Sequence, residues 1–78
     1  STHDEVRIWV QILQLDGIPG EKVWLKANWL ITDPRGNRGK FRFFADTVLL
    51  SGSKMEDLVQ AHEQLILRLA KEIRSVLE

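Results

Sequence analysis

Few side chains in this sequence could carry out chemistry at a metal or cofactor. The 78-residue chain has two histidines, His3 and His62, and no cysteine. A metal site needs several ligands at regular spacing, and neither histidine belongs to an H-x-x-x-H pair. His62 lies on the apolar side of a helical pattern, where we expect a histidine at the edge of the core with a hydrogen-bond partner. We therefore predict no metal and no cofactor.

Acidic and hydroxyl side chains do not form a catalytic pattern either. The acids of the C-terminal part, such as Glu56, Asp57 and Glu63, have the spacing of a solvated helix surface. None of them is paired with a base for acid–base catalysis. No serine lies in a G-x-S-x-G turn, and no glycine-rich phosphate loop is present. The sequence therefore predicts a protein that is not an enzyme and has no catalytic residues.

One segment, R-G-K-F-R-F-F at residues 38–44, combines basic and aromatic side chains. In RNA-recognition domains, aromatic side chains on such a strand stack on bases. Here Lys40 stands where that signature has an aromatic residue, and we assign Phe41 and Phe43 to the face that the helix covers. The formal net charge is zero, whereas binding to phosphate backbones favours a basic protein. We predict no nucleic-acid partner, and single-strand nucleic-acid binding is the weaker alternative.

Alternating apolar residues predict three β-strands, over residues 6–15, 22–32 and 39–48. The connections at residues 16–20 and 33–37 are short and carry glycine and proline at turn positions. Such connections favour an antiparallel meander.

A helical period follows from about residue 55 to the end of the chain. Ser53 and Glu56 have the spacing of a capping box, with Ser53 as the N-cap. Apolar residues then recur at steps of three and four, namely Met55, Leu58, Val59, His62, Leu65, Ile66, Leu69, Ile73, Val76 and Leu77. The fold class is therefore α+β, of order β-β-β-α, an antiparallel meander with one long C-terminal helix. We expect residues 1–78 to be a single domain, or a fragment that is half of a larger helix-covered sheet.

The second strand carries large aromatic side chains on both faces. Trp24 and Trp29 are five residues apart, and an odd spacing places them on opposite sides of a sheet. We assign the more apolar face to the helix, with Val6, Ile8, Val10, Ile12, Val23, Leu25, Ala27, Trp29, Ile31, Phe41 and Phe43. Aromatic residues mixed with arginine on the other face are typical of a recognition surface. The predicted interface consists of Trp9, Trp24, Leu30, Arg42 and Phe44.

Three kinds of cover for this second face remain open, namely further sequence of the same protein, a second copy and a different partner. Cross-strand stacking of Trp9 on Trp24 is the alternative that needs no partner.

Two motifs resemble a known family. They are L-K-A-N-W-L-I-T-D at residues 25–33 and L-R-L-A-K-E-I at residues 67–73, and Asp33 and Gly36 fit the turn that follows the first. The pattern is similar to the C-terminal half of the ABC-type transport auxiliary lipoproteins, the group of paraquat-inducible protein C. The resemblance covers nearly the whole chain, and its motifs are structural.

The resemblance implies a non-catalytic lipoprotein on the periplasmic side of the outer membrane of a Gram-negative bacterium. It implies a membrane attachment only through an upstream lipid anchor. It implies ABC transporter subunits and an MCE-domain protein as partners in intermembrane lipid transport. The missing half of the family domain would supply strands and helices that cover the sheet on both sides. The alternative is a small self-associating protein-interaction module with no lipid role.

Overall fold

Three antiparallel strands and one helix follow one another along the chain. The computed structural model describes residues 5–77. Its elements are β1 (Arg7–Ile18), β2 (Lys22–Thr32), β3 (Arg42–Leu49) and α1 (Met55–Leu77). The strands lie in the order β1-β2-β3, and both neighbouring pairs are antiparallel. The predicted α+β meander with a C-terminal helix is confirmed, although β1 continues past residue 15 and β3 begins after residue 39.

The two strand connections depend on backbone conformations that glycine adopts easily. Gly20 has a φ of 75°, in the turn that Glu21 closes by donating its N–H to the Ile18 carbonyl oxygen at 2.9 Å. In the second turn Gly36 has a φ of 85°, and the Asp33 carboxylate accepts N–H groups within the loop. These turns fix the order of the strands, and the ladders then fix which residues share a face.

The core lies between α1 and the two strands β2 and β3. Every second side chain of β2 is buried beneath the helix, and β3 and α1 add the rest. The buried set is Val23, Leu25, Ala27, Trp29, Phe44, Val48, Ala61, Leu65, Leu69 and Ile73. The four helix residues recur at steps of four, so they form one narrow row along α1. Trp24 and Trp29 are on opposite faces as predicted, with Trp29 in the core.

The faces of β3 are the reverse of those predicted. Phe44 pairs with Ala27, and Val48 pairs with Val23, so both face the helix. Phe43 is 58% exposed, and Phe41 is similarly exposed. The assignment of Phe41 and Phe43 to the helix side is therefore wrong. Consecutive phenylalanines give each face of β3 an aromatic residue, so alternation alone does not decide, and the pairing with β2 does.

Two charged residues lie on the helix side of β3. The Arg42 guanidinium is 5.7 Å from the centre of the Trp29 ring, as in a cation–π contact. Asp46 forms an ion pair with Arg68 of α1 at 2.9 Å. Both charges are tolerated because β3 is an edge strand, so their side chains pass beside the helix to water.

The start of α1 is capped differently from the prediction. The helix begins at Met55, and the Lys54 N–H donates to Asp57 Oδ2 at 3.0 Å. The Ser51 hydroxyl lies 3.3 Å from the other carboxylate oxygen of Asp57. The predicted box of Ser53 and Glu56 is therefore wrong by one position, and Asp57 is the acid that reaches back to the cap. Gly52 leaves room for it, because a Cβ there would lie 2.6 Å from Asp57 Oδ2.

Candidate protein interface

The face of the sheet opposite α1, called the outer face here, carries an aromatic cluster. Trp9 of β1 pairs directly with Leu30 of β2. The rings of Trp9 and Phe41 meet edge to face, with centres 5.5 Å apart and planes at 79°. Leu30 is only 4% exposed although no helix of residues 5–77 covers it. The two rings, reaching from either side of β2, account for this burial.

The cluster shields Leu30 but remains half open itself. Trp9 is 47% exposed, and Phe41 and Phe43 are more so. Exposed aromatic rings around a desolvated centre are typical of the anchors of protein interfaces.

The outer face as a whole is basic. The strand positions that point to the outer face carry three cations, Arg7, Lys22 and Lys26, and one acid, Asp16. Lys22 places its ammonium group 5.8 Å from the centre of the half-buried Trp24 ring. The outer face therefore has a formal charge of +2, whereas the whole chain is neutral.

The structure divides the five predicted interface residues between the two faces. Trp9, Trp24 and Leu30 lie on the outer face as expected, with Trp9 next to Leu30 and Trp24 near the other end of β2. Phe44 is 6% exposed in the core, and Arg42 lies over Trp29 on the helix side, so their assignment to the outer face is wrong. The cause is the reversed alternation of β3. Phe41 and Phe43 were not predicted as outer-face residues, because the sequence does not show which residues of β3 pair with those of β2.

The expected alternative, a stack of Trp9 on Trp24, does not form. Trp24 lies between Asp16 on β1 and Thr47 on β3. The register places Trp9 beside Leu30 instead, near the other end of β2. Its aromatic partner is Phe41.

A second apolar surface lies on the helix side of β1. Ile8, Val10, Ile12 and Leu15 face the same way as the buried row of β2, yet each is between 39% and 48% exposed. The helix packs on β2 and β3, and within residues 5–77 it leaves β1 uncovered. We call this surface the β1 trough.

One flank of α1 forms the side wall of the trough. Arg68 contacts β3, so the opposite flank of the helix faces towards β1. That flank carries Val59, Ile66 and Leu77, all roughly half exposed. The broad apolar stripe predicted from the sequence is therefore wider than the part of α1 that β2 and β3 bury. A cleft of about 450 Å³ continues the trough near the start of α1, lined in part by Leu15, Leu50, Met55, Leu58 and His62.

His62 has the role expected of a histidine at the edge of the core. Its Nδ1 lies 2.8 Å from the Leu58 carbonyl oxygen, which can only accept, so Nδ1 donates. The side chain is half buried. Within residues 5–77, no three His, Cys, Asp or Glu side chains are grouped to hold a metal ion. His3 lies outside the described residues.

No helix in the described range, 5–77, combines the length and the apolar character that crossing a bilayer requires.

Comparison with known proteins assigns the chain to a family. The family model described as ABC-type transport auxiliary lipoprotein component matches residues 1–74. No curated protein and no solved structure gives a significant match. The matched range contains all three strands and nearly all of α1. The chain therefore belongs to the family of ABC-type transport auxiliary lipoprotein components.

Proposed function

We propose that this chain is a non-catalytic part of a lipoprotein that supports an ABC/MCE-type system for lipid transport between the two membranes of a Gram-negative envelope. Its place would be the periplasmic side of the outer membrane, held there by a lipid anchor upstream of the chain. The family supports a role in ABC-type transport. The observation that carries the proposal is the cluster of Trp9, Leu30 and Phe41, which provides a binding surface without catalytic groups.

The outer face has the layout of a docking surface. Its centre is the desolvated Leu30 beneath two aromatic rings, with Phe43 nearby and Trp24 further along β2. Exposed apolar patches above a few hundred Å² on a soluble protein usually mark an interaction site. Contacts at such a centre contribute most of the binding energy, and the polar rim sets orientation.

The charge of the outer face limits the partner. Three cations and one acid favour a protein surface with an apolar centre and an acidic rim. In this proposal the MCE-domain protein supplies that surface, and the ABC transporter subunits belong to the same assembly. Opposite charges would steer the encounter and make its rate dependent on salt.

The uncovered surfaces of this chain agree with the presence of a remaining part of the family domain. We expect this chain to be the C-terminal half of the domain. The uncovered β1 trough and the unused flank of α1 support the presence of further polypeptide on the helix side. Several half-exposed aliphatic side chains in one concave surface are costly to leave in water.

Binding of the full-length lipoprotein to the MCE-domain protein of the same bacterium tests the proposal. Trp9→Ala and Phe43→Ala each remove an exposed ring of the outer face, and we expect each to weaken binding about tenfold or more. Leu67→Ala is the matched control, because Leu67 is an exposed apolar residue of α1 that lies away from this face. If the outer-face variants bind as tightly as the control, the outer face is not the docking surface.

One structural finding favours single-strand nucleic-acid binding. Phe41 and Phe43 are exposed on the sheet, which removes one of the sequence arguments against it. The neutral net charge and the transport family still favour a protein partner. A gel shift with single-stranded RNA that weakens steeply with salt would favour the nucleic-acid alternative.

A further inference from the structure

The outer edge of β1 carries few of the features that protect sheet edges, namely one β-bulge and a charged residue near each end, Arg7 and Asp16. β1 has 12 residues, and within residues 5–77 its only neighbouring strand is β2. Edge strands are commonly short or carry lysine, proline or inward-pointing charges. The other edge, β3, follows this rule, with eight residues and with Arg42 and Asp46 on its helix side. β1 has no lysine and no proline, and aliphatic residues occupy both of its faces.

We propose that a second copy of this chain pairs with β1 through its own β1, antiparallel, to give a continuous six-stranded sheet. Two identical antiparallel strands are related by a twofold axis, so the contact closes on itself as a dimer. The backbone N–H and C=O groups of the open edge would then find partners, as in other cases of strand addition. This inference does not depend on the proposed transport role.

The β-bulge in β1 selects the register. The pairing with β2 shifts between Ile12 and Gln14, so Leu13 has no partner in the ladder. Before the bulge, odd-numbered residues point to the outer face, and after it even-numbered residues do. Residues that lie directly opposite each other must share a face.

A twofold axis at Gln11 meets this condition along the whole strand. With Leu13 skipped in each copy, Val10 pairs with Ile12 of the second copy on the helix side. Ile8 pairs with Leu15 of the second copy on the same side. The troughs of the two copies then become one continuous aliphatic floor.

The same register also matches charges. On the outer face, Arg7 lies opposite Asp16 of the second copy, and the twofold axis repeats this pair at the other end. Within residues 5–77 Arg7 forms no ion pair, although Glu5 and Asp33 line the same surface depression. Asp16 uses Oδ1 to accept the Gly17 N–H at 2.8 Å, which leaves Oδ2 for an arginine. A shift of two residues in either direction removes both pairs.

The side chains of β1 offer apolar lateral contacts to a second copy. The apolar side chains of β1 are each 39% to 49% exposed, at Ile8, Trp9, Val10, Ile12, Leu13, Leu15 and Ile18. In the paired sheet these side chains contact their counterparts of the second copy along the shared edge, and backbone hydrogen bonds add to these lateral contacts. A second copy is the occupant that also supplies the opposite charges at both ends of the strand.

Charge exchange tests this arrangement in the 78-residue chain. The molar mass is measured by sedimentation equilibrium over a dilution series, where the monomer has 9.0 kDa and the dimer twice that mass. We expect the wild type to dimerise. Arg7→Glu or Asp16→Arg alone places like charges at both ends, and we expect the dissociation constant to rise about ten- to a hundredfold. Lys26→Glu, on the outer face of β2, is the control and should leave it unchanged.

Mixing the two variants gives the decisive result. A heterodimer of Arg7→Glu with Asp16→Arg has opposite charges at both ends, so the equimolar mixture should dimerise more tightly than either variant does alone. Circular dichroism of each variant tests whether the fold is intact. A wild type that stays at 9.0 kDa throughout would overturn the proposal and assign the edge to another segment or partner. A dimer that neither variant weakens, or a mixture without recovery, would overturn it as well.

Discussion

Trp29 Nε1 donates a hydrogen bond to Glu72 Oε2 at 3.0 Å and so joins the central strand to the helix. Trp29 is 1% exposed, whereas Glu72 lies at the surface of α1. The contact spans 43 residues of sequence and satisfies an indole N–H that would otherwise be shut off from water. It therefore fixes the position of α1 along β2.

Loss of this acceptor should destabilise the fold. Glu72→Ala leaves the indole N–H without its partner, and we expect a loss of about 1–2 kcal/mol in the free energy of unfolding. Glu72→Gln keeps an acceptor oxygen and should lose less. Urea denaturation followed by Trp fluorescence measures both, with Glu63→Ala on the exposed side of α1 as the control. Equal stability of the Glu72→Ala and Glu63→Ala variants would contradict a structural role for this bond.

The two adjacent phenylalanines of β3 should respond very differently to truncation. Phe44→Ala removes a ring from the core, and such changes cost about 3–5 kcal/mol, enough to unfold much of so small a domain. Phe43→Ala removes an exposed ring and should change stability by about 0.5 kcal/mol or less. Chemical denaturation of both variants compares them. If Phe43→Ala proved the more damaging, the register of β3 would be wrong.

This pair also shows how far the sequence predicts the fold. Alternation along β2 is sufficient to place Trp24 and Trp29 on opposite faces, because one of its rows is apolar throughout. Along β3 the row that faces the helix carries both charged residues, Arg42 and Asp46, so alternation does not identify the buried face, which depends on hydrogen bonds to β2 over long sequence distances. The acid that caps α1 is a second example in which the local sequence pattern is not sufficient. Ser53 and Glu56 fit the local motif, but the backbone turn before α1 brings Asp57 to the cap instead.

The candidate interface, like the fold, could be predicted only in part from the sequence. Trp9 and Leu30 lie on strands whose pattern is clear, and the prediction places them together. Phe41 comes from beyond β2, and its contact with Trp9 depends on the pairing of three strands at once. The β1 trough becomes apparent when the width of the apolar stripe of α1 is compared with the width of its buried part. The sequence shows a broad apolar stripe on the helix, and only the structure shows that β2 and β3 bury a narrow row of it.

Acid should weaken the link between β3 and α1. The Thr47 backbone N–H, with the Arg68 side chain next in effect, lowers the pKa of Asp46 below its ordinary 3.8. The ionised carboxylate therefore stabilises the folded state at pH values above 3.8. This contribution is lost as the pH falls through the lower pKa of the folded protein.

The Asp46→Asn variant tests this dependence. Because both partners are well exposed, we expect the variant to lose only a few tenths of a kcal/mol at neutral pH and to differ less from the wild type in acid. Urea midpoints of both proteins over a pH series give the comparison. Some loss of stability in acid should remain in the variant, because hydrogen bonds from Asn37 also lower the pKa of Asp33. A difference that grows as the pH falls would contradict the assignment.

Two neighbouring acids at the start of α1 separate the observed cap from the sequence motif. Asp57→Ala removes the acceptor of the Lys54 N–H, and we expect a loss of about 1 kcal/mol in the free energy of unfolding. Glu56→Ala removes a charge at nearly the same distance from the helix end, so both variants lose a similar dipole interaction. The difference between their urea midpoints therefore isolates the cap. A larger loss for Glu56→Ala would restore the capping box predicted from Ser53 and Glu56.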